Sequence, residues 1–412
     1  TMVKTEKIPE GYRATEAGIL PIDWQVKRLS EVATELTERA GQDKYETVSI
    51  SAGIGFVNQA EKFGKELSGK QYEKYIVLHQ GDFSYNKGNS RTSPQGCIYR
   101  LNDRETAAVP NVFESFRIEG QNADYYEQLF LSGFLNKQLY SKINRGVRDD
   151  GLLNLTGKDF YSCIVPVPPI AEQKKIAEIL AQCDKVIALK QERLEAEIVR
   201  KKWLMNQLLH HPENYRVPGY GGDWKTSTIG SVTSSFSGGT PTSSNSSYYS
   251  DTGIPFIRSG EISSSTTELY LSDQGFVNSA AKMVEKGDLL YALYGANSGE
   301  CFVSKMNGAI NQAILCIRSD TVDVRFLNYI LASMKDWIVA TFLQGGQGNL
   351  SGAIIKKLKI AYPQKEEQQA IVKIIHSQDI VIDKIREELK EFEERRKALM
   401  QLLLTGIVRV KL

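Results

Sequence analysis

The strongest constraint on this 412-residue chain is that much of it is written twice. Asn154-Leu155-Thr156-Gly157 returns as Asn349-Leu350-Ser351-Gly352 at a shift of 195 residues, and that shift holds without a gap as far as Leu209 and Leu404. Along it fall Pro168 and Pro363, the pairs Glu172-Gln173 and Glu367-Gln368, Asp184 and Asp379, and Leu204-Met205 and Leu399-Met400. Upstream the match continues with a drifting offset. Asp23-Trp24 faces Asp223-Trp224 at 200, and Gly81-Asp82 with Tyr85 faces Gly287-Asp288 with Tyr291 at 206. Loops absorb insertions and packed helices do not, so each copy reads as a globular part followed by a helix. The expected divisions are a globular unit over 1–167, a helix over 168–211, a second globular unit over 212–363, and a second helix with a short tail over 364–412.

Both helical stretches are rich in Ala, Glu, Lys, Leu and Gln, and the first has no Gly or Pro between Ile170 and Leu209. In the second, Ile371, Ile375, Gln378, Ile382, Ile385, Leu389, Phe392, Arg396, Leu399 and Leu403 step by four and three, the seven-residue repeat of a coiled coil. The first shows Ile176, Leu180, Cys183, Ile187, Leu194, Ile198, Met205 and Leu208, with Lys190 where an apolar residue is expected. Helices of ~40 residues are ~60 Å long at 1.5 Å per residue, too long for one face to be covered by the globular parts alone. The expectation is that they pack on each other. Because domain termini tend to lie close together, the pair should run antiparallel with approximate two-fold symmetry. Helices belonging to two separate domains are the other possibility, since Lys190, Gln378 and Arg396 interrupt the apolar repeat.

The globular parts read as mixed α and β. Apolar or alternating runs at 45–57, 74–85, 113–118, 254–258, 288–294 and 313–317 suggest strands, and helices are expected over 124–143 and 324–342. The fold class is therefore α+β, an internal pseudo-two-fold repeat. Trp24 and Trp224 are expected as core anchors. Between the elements lie polar, Gly-rich loops. The first unit offers Lys87, Asn89, Ser90, Arg91, Thr92, Arg145 and Arg148; the second offers Gly239, Thr240, Arg258, Tyr294, Asn297, Ser298, Gln344 and Gln347. Arg matches guanine edges, Asn and Gln match adenine, and Gly lets a backbone approach phosphate, so these are candidate DNA contacts. Taken alone, such loops are more often surface turns.

The net charge of +2 neither favours nor excludes a nucleic acid, because phosphate contact depends on local Lys and Arg. Five scattered cysteines form no C-x-x-C pair, and His210-His211 has no acidic or sulfur partner at metal-binding spacing, which reads as a solvated helix end. No metal is expected. There is no G-x-x-x-x-G-K-[ST], H-E-x-x-H, G-x-S-x-G or Asn-Pro-Pro-aromatic motif, and the loop glycines lack the surroundings of a dinucleotide site. No secretory leader and no apolar run of ~18 residues is found, so a cytoplasmic location is expected.

Leu20-Pro21-x-Asp23-Trp24 opening one unit, Gly238-Gly239-Thr240-Pro241 in the other, and the recurring N-L-[ST]-G, Pro, then Glu-Gln before a long helix resemble the specificity subunit of type I restriction-modification systems. The resemblance spans essentially the whole chain. It implies two target recognition domains, each reading one half of a bipartite, asymmetric site on double-stranded DNA, with the helical pair setting the spacing. It further implies two methyltransferase subunits that carry S-adenosylmethionine and modify adenine, and restriction subunits that use ATP. Catalysis and cofactors would belong to those partners, and this chain would hold none. The stretch 34–41 offers no counterpart to Gly238-Gly239-Thr240-Pro241, which leaves the first unit's loops less defined. A coiled-coil adaptor with protein-binding ends, and a DNA enzyme with an unrecognised site, are the other readings of the same residues.

Overall fold

The computed structural model describes residues 8–64, 69–88, 93–143, 153–343 and 349–411. The chain packs as two compact units: residues up to Lys190 together with those from Leu389 onward, and Gln191–Glu388. The division falls within both long helices, Ile170–His210 and Lys365–Leu404, so each unit holds one globular part and a segment of each helix.

In the first unit, strands β1 (Ala33–Glu35), β2 (Phe83–Asn86), β3 (Cys97–Arg100) and β4 (Glu114–Ile118) form an antiparallel sheet in the order β1-β4-β2-β3. Alternation places Phe83, Tyr85, Phe116 and Ile118 toward the main core. There Phe83 stacks on Phe116 at 5.4 Å and Tyr85 on Phe160 at 4.7 Å. On the other face the Ser84 and Ser115 hydroxyls bond to each other at 3.0 Å, which lets two buried polar side chains satisfy one another. The expected helix over 124–143 is two helices, α1 (Ala123–Leu131) and α2 (Asn136–Lys142). Gly133 separates them at φ +75, a conformation a side chain would resist.

A second layer pairs Ile76–His79 with Thr106–Val109, antiparallel, and adds a parallel bridge from Thr47 to Ala108. The expected single runs over 45–57 and 74–85 each contain two strands. The first is the hairpin Val48–Ser51 with Gly55–Asn58, and the second turns at Gly81. Finally Gln25–Arg28 pairs with Ile164–Val167, which ties the start of the globular part to its end.

The second unit repeats this plan. Strands β5 (Ser234–Ser237), β6 (Leu289–Ala292), β7 (Cys301–Val303) and β8 (Ile314–Arg318) follow the order β5-β8-β6-β7. Its second layer again pairs Gly308–Ile310 antiparallel with Lys282–Val284 and parallel with Ile254–Ile257. Lys225–Thr228 closes on Lys359–Tyr362. Here the helix after the sheet, the counterpart of α1 and α2, is a single element, Val324–Phe342. Asp323 caps it by accepting from the Arg325 and Phe326 N–H groups.

The long helices are labelled α3 (Ile170–His210) and, after α4 (Val324–Phe342), α5 (Lys365–Leu404). Within the first unit, Asp184 of α3 meets Arg396 of α5, and the Lys190 ammonium lies 4.8 Å from the Phe392 ring centre. Within the second, Glu197 meets Gln378 and Lys201 meets Asp379. In the first unit rising numbers on one helix face falling numbers on the other, and in the second Met205, Leu208 and Leu209, beyond Glu197, share a core with Ile371 and Ile375, ahead of Gln378, so in each unit the two segments run antiparallel. Ile176, Leu180, Ile375, Ile382 and Ile385 are buried, while Ile187, Leu194, Leu389, Phe392 and Leu399 are half-buried. The residues that break the apolar repeat are all engaged. Arg396 also donates to Gln128 (2.7 Å), and Asp379 accepts from the Tyr329 hydroxyl (2.6 Å).

The duplicated Glu-Gln pair explains itself here. Gln173 accepts from the Asn122 N–H (2.9 Å) and donates to the Pro168 carbonyl (2.8 Å); Gln368 does the same with Asp323 (2.7 Å) and Pro363 (2.9 Å). Buried Glu172 accepts from Trp24 Nε1 (2.9 Å) and from Arg409 Nε and Nη2 (2.7 and 2.8 Å). Fully buried Glu367 is held by Arg216 Nε and Nη2, both at 2.8 Å. Each arginine follows one long helix and pins the first turn of the other. Trp24 is fully buried; Trp224 is half-buried against Phe326.

Removing one partner of a buried ion pair strands the other charge. Arg216→Ala should therefore lower the urea midpoint of the full chain, because it leaves the buried Glu367 carboxylate without its partner. Adding Glu367→Gln to that variant should recover part of the loss. Equal stability of Arg216→Ala and the parent would refute the clasp.

Candidate nucleic-acid interface

In the second unit, loops gather where β5 and β6 end and β8 begins. The path out of β5 is crowded: a Cβ on Gly238 would fall 1.8 Å from the Ile310 carbonyl oxygen, and one on Gly239 2.5 Å from Ala280 Cβ. These glycines are required for packing. Gly239 is buried, and Ala280 leaves no room for a side chain there. Thr240, by contrast, is exposed and donates from Oγ1 to Gln312 Oε1 at 2.6 Å.

Tyr294 follows β6; burial raises its phenol pKa, and the Gln312 side chain partly opposes the rise. Ser298 turns both its N–H and its hydroxyl onto the Gly295 carbonyl (3.2 and 2.8 Å). Asn297 reaches the next loop, its Nδ2 lying 3.4 Å from where a Gly260 Cβ would be. Arg258, two residues before that glycine, gives its guanidinium to Glu261 (3.0 and 3.1 Å) and Glu268 (2.6 Å). Thr240, Tyr294, Asn297 and Arg258 are thus brought to one end of the unit. Arg258 and Ser298 are already occupied by the fold. Gln344 and Gln347 lie outside the described residues. The chain re-enters beside β6, with the Leu350 N–H donating to the Leu293 carbonyl (3.0 Å).

The first unit has the same convergence. At the end of β2, Asn86 donates to the Ile50 carbonyl (3.1 Å); just past it Lys87 pairs with Glu114 at 2.5 Å, and the Leu153 N–H donates to the Lys87 carbonyl (2.9 Å). Lys87 is nearly buried and neutralises a carboxylate, a structural use of its charge. Asn89, Ser90, Arg91, Thr92, Arg145 and Arg148 lie outside the described residues.

Elsewhere, burial raises the thiol pKa of Cys97 and Cys163 to about 11 and of Cys301 and Cys316 to about 12, so all four stay protonated at neutral pH. No group of three His, Cys, Asp or Glu among the described residues could hold a metal. His210 is exposed at the helix end and its Nε2 lies 2.8 Å from Ser333 Oγ; partial desolvation followed by the neighbouring His211 lowers its pKa. No described helix is long and apolar enough to cross a membrane.

Glu261 supplies a pH test. Burial raises its pKa, but hydrogen bonds from the Arg258 side chain, the Glu268 and Arg258 N–H groups and Thr267 outweigh it and hold the carboxyl at about 2, below the ordinary 4.5. A depressed folded-state pKa stabilises above the unfolded value and loses that contribution as pH falls through the folded one. The melting temperature of the parent should therefore exceed that of Glu261→Gln above about pH 4.5, and the gap should close toward pH 2. A gap independent of pH would contradict it.

A family model described as the type I restriction modification DNA specificity domain matches residues 21–200 and, a second time, 221–394. A Methanocaldococcus jannaschii protein, provisionally named the type I restriction enzyme MjaX specificity subunit, is 26% identical over 98% of this chain and 97% of its own length. Among solved structures, one described under complex assembly and conformational transition of the type I R-M system covers 94% of this chain and 99% of its own (TM-score 0.62, 18% identity). The type I restriction-modification S subunit of M. genitalium covers 97% and 98% (TM-score 0.58, 13% identity). At these identities the structures speak to the fold alone.

Proposed function

Because this chain belongs to the type I restriction-modification DNA specificity family, we propose that it is the sequence-reading subunit of such a complex and itself makes and breaks no covalent bond. Each unit reads one half of a bipartite site on double-stranded DNA. The units carry the same strand order but different loops, so the halves differ and the site is asymmetric. The helices set the spacing between halves and dock two methyltransferase subunits, which supply S-adenosylmethionine and adenine modification; restriction subunits supply the ATP-dependent step. The complex works in the cytoplasm. The recognition domains correspond to 1–167 and 212–363 and the spacer helices to 168–211 and 364–412. Thr240, Tyr294 and Asn297, with Asn89, Ser90, Arg91, Thr92, Arg145, Arg148, Gln344 and Gln347, are the proposed contacts.

The observation that carries this reading is the twofold occurrence of one loop cluster, at the same end of the same sheet, in a chain that matches a DNA specificity family twice.

Co-expression with a methyltransferase subunit, followed by sequencing of methylated adenines, should give one split, asymmetric motif that disappears when this chain is deleted. Methylation that persists unchanged would refute the reading. Replacing 212–363 with the same unit of a relative should change one half of the motif only; simultaneous change of both halves would refute modular reading.

A further inference from the structure

The ladders establish an equivalence that the drifting offset conceals. Phe116 of β4 pairs with Phe83, and Ile317 of β8 pairs with Leu289. Just before each partner stands an aspartate, Asp82 or Asp288, and just after each central residue stands an arginine that forks onto it. Arg117 bonds Asp82 at 2.7 and 3.0 Å, and Arg318 bonds Asp288 at 2.8 and 2.6 Å. Residues 116 and 317 are therefore equivalent, an offset of 201. Carried back to the heads of these strands, the offset matches Asn111 with Gln312.

An independent contact agrees. The Phe113 N–H donates to the Pro110 carbonyl (3.0 Å) and the Ile314 N–H to the Asn311 carbonyl (3.4 Å), so both units make the same turn and place a carboxamide at its second position. Both side chains are exposed. Both turns are anchored on either side by strand pairing: Val109 to Ile76 and Glu114 to Tyr85 in one unit, Ile310 to Lys282 and Ile314 to Ala292 in the other. A rigid scaffold holds a reading group more accurately than a free loop does.

We infer that Asn111 and Gln312 are equivalent base-reading residues, each recognising an adenine in one half of the site. This rests on the DNA-reading function proposed above. A carboxamide offers an acceptor and a donor side by side, the complement of adenine N6–H and N7 in the major groove. Among the described residues, Asn111 makes no side-chain hydrogen bond. Gln312 Oε1 accepts from Thr240 and retains a second lone pair, and the Thr240 contact orients the amide. Lys87, Arg258 and Ser298, beside the same turns, are instead spent on contacts within the fold.

The test is adenine-methylation sequencing of the whole complex carrying full-length variants. Gln312→Ala should lower discrimination roughly 10- to 100-fold at one position of one half-site and leave the other half unchanged. Asn111→Ala should do the same in the other half. Gln312→Glu keeps the size and the acceptor for Thr240 but removes the outward donor, so it separates reading from folding and should shift preference at the same position. A motif unchanged by all three variants, or altered in both halves by any one, overturns the assignment while leaving the function of the chain intact. Absence of a split motif with the parent chain would instead overturn the proposed function.

Discussion

A buried carboxylate held by an arginine from a distant part of the chain is the constraint on which each unit depends. Glu172 lies at the start of α3 and Arg409 beyond the end of α5; Glu367 lies at the start of α5 and Arg216 beyond the end of α3. A charge enclosed in protein must be paired, so neither glutamate can be buried until the segment carrying its arginine has arrived. Beside each glutamate, a glutamine satisfies the N–H ahead of the helix that follows the sheet. Sheet, following helix and both long helices are thereby joined in one polar knot. Each unit is consequently assembled from pieces of chain that lie far apart in sequence.

Above that knot, the two sheets share a strand order and a second layer, and differ in what decorates their ends. This separation of scaffold from reading surface fits a subunit whose halves must hold the same geometry and recognise different sequences. The Asp-Arg forks and the turn before each central strand are kept in both copies, while the neighbouring loops have diverged in length and chemistry.

The duplication, the long helices and the α+β class were legible in the amino-acid sequence because a packed helix pair admits no insertion, so the 195-residue offset survives intact through it. The split at Gly133 was not, because one glycine in an apolar, helical pattern is compatible with a continuous helix until its φ is known. The packing role of Gly238 and Gly239 was not legible, since only the fold brings Ile310 and Ala280 against them. The pairing of Arg258 with Glu261 and Glu268 was not legible either, because the turn that brings both carboxylates onto it is set by the fold. Asn111 and Gln312 escaped notice because Asn111-Val112 and Asn311-Gln312 look alike and suggest pairing the two asparagines. Strand register moves that alignment by one residue.

The central claim is that this chain confers sequence-dependent binding through two independent readers. The most direct measurement is the affinity of its purified complex with methyltransferase subunits, at fixed salt, for duplexes in which the first half-site, the second or both are scrambled. The account predicts that scrambling either half weakens binding, and that scrambling both reduces it to a non-specific level, about a thousandfold or more below the intact site. Equal affinity for all four duplexes would contradict it.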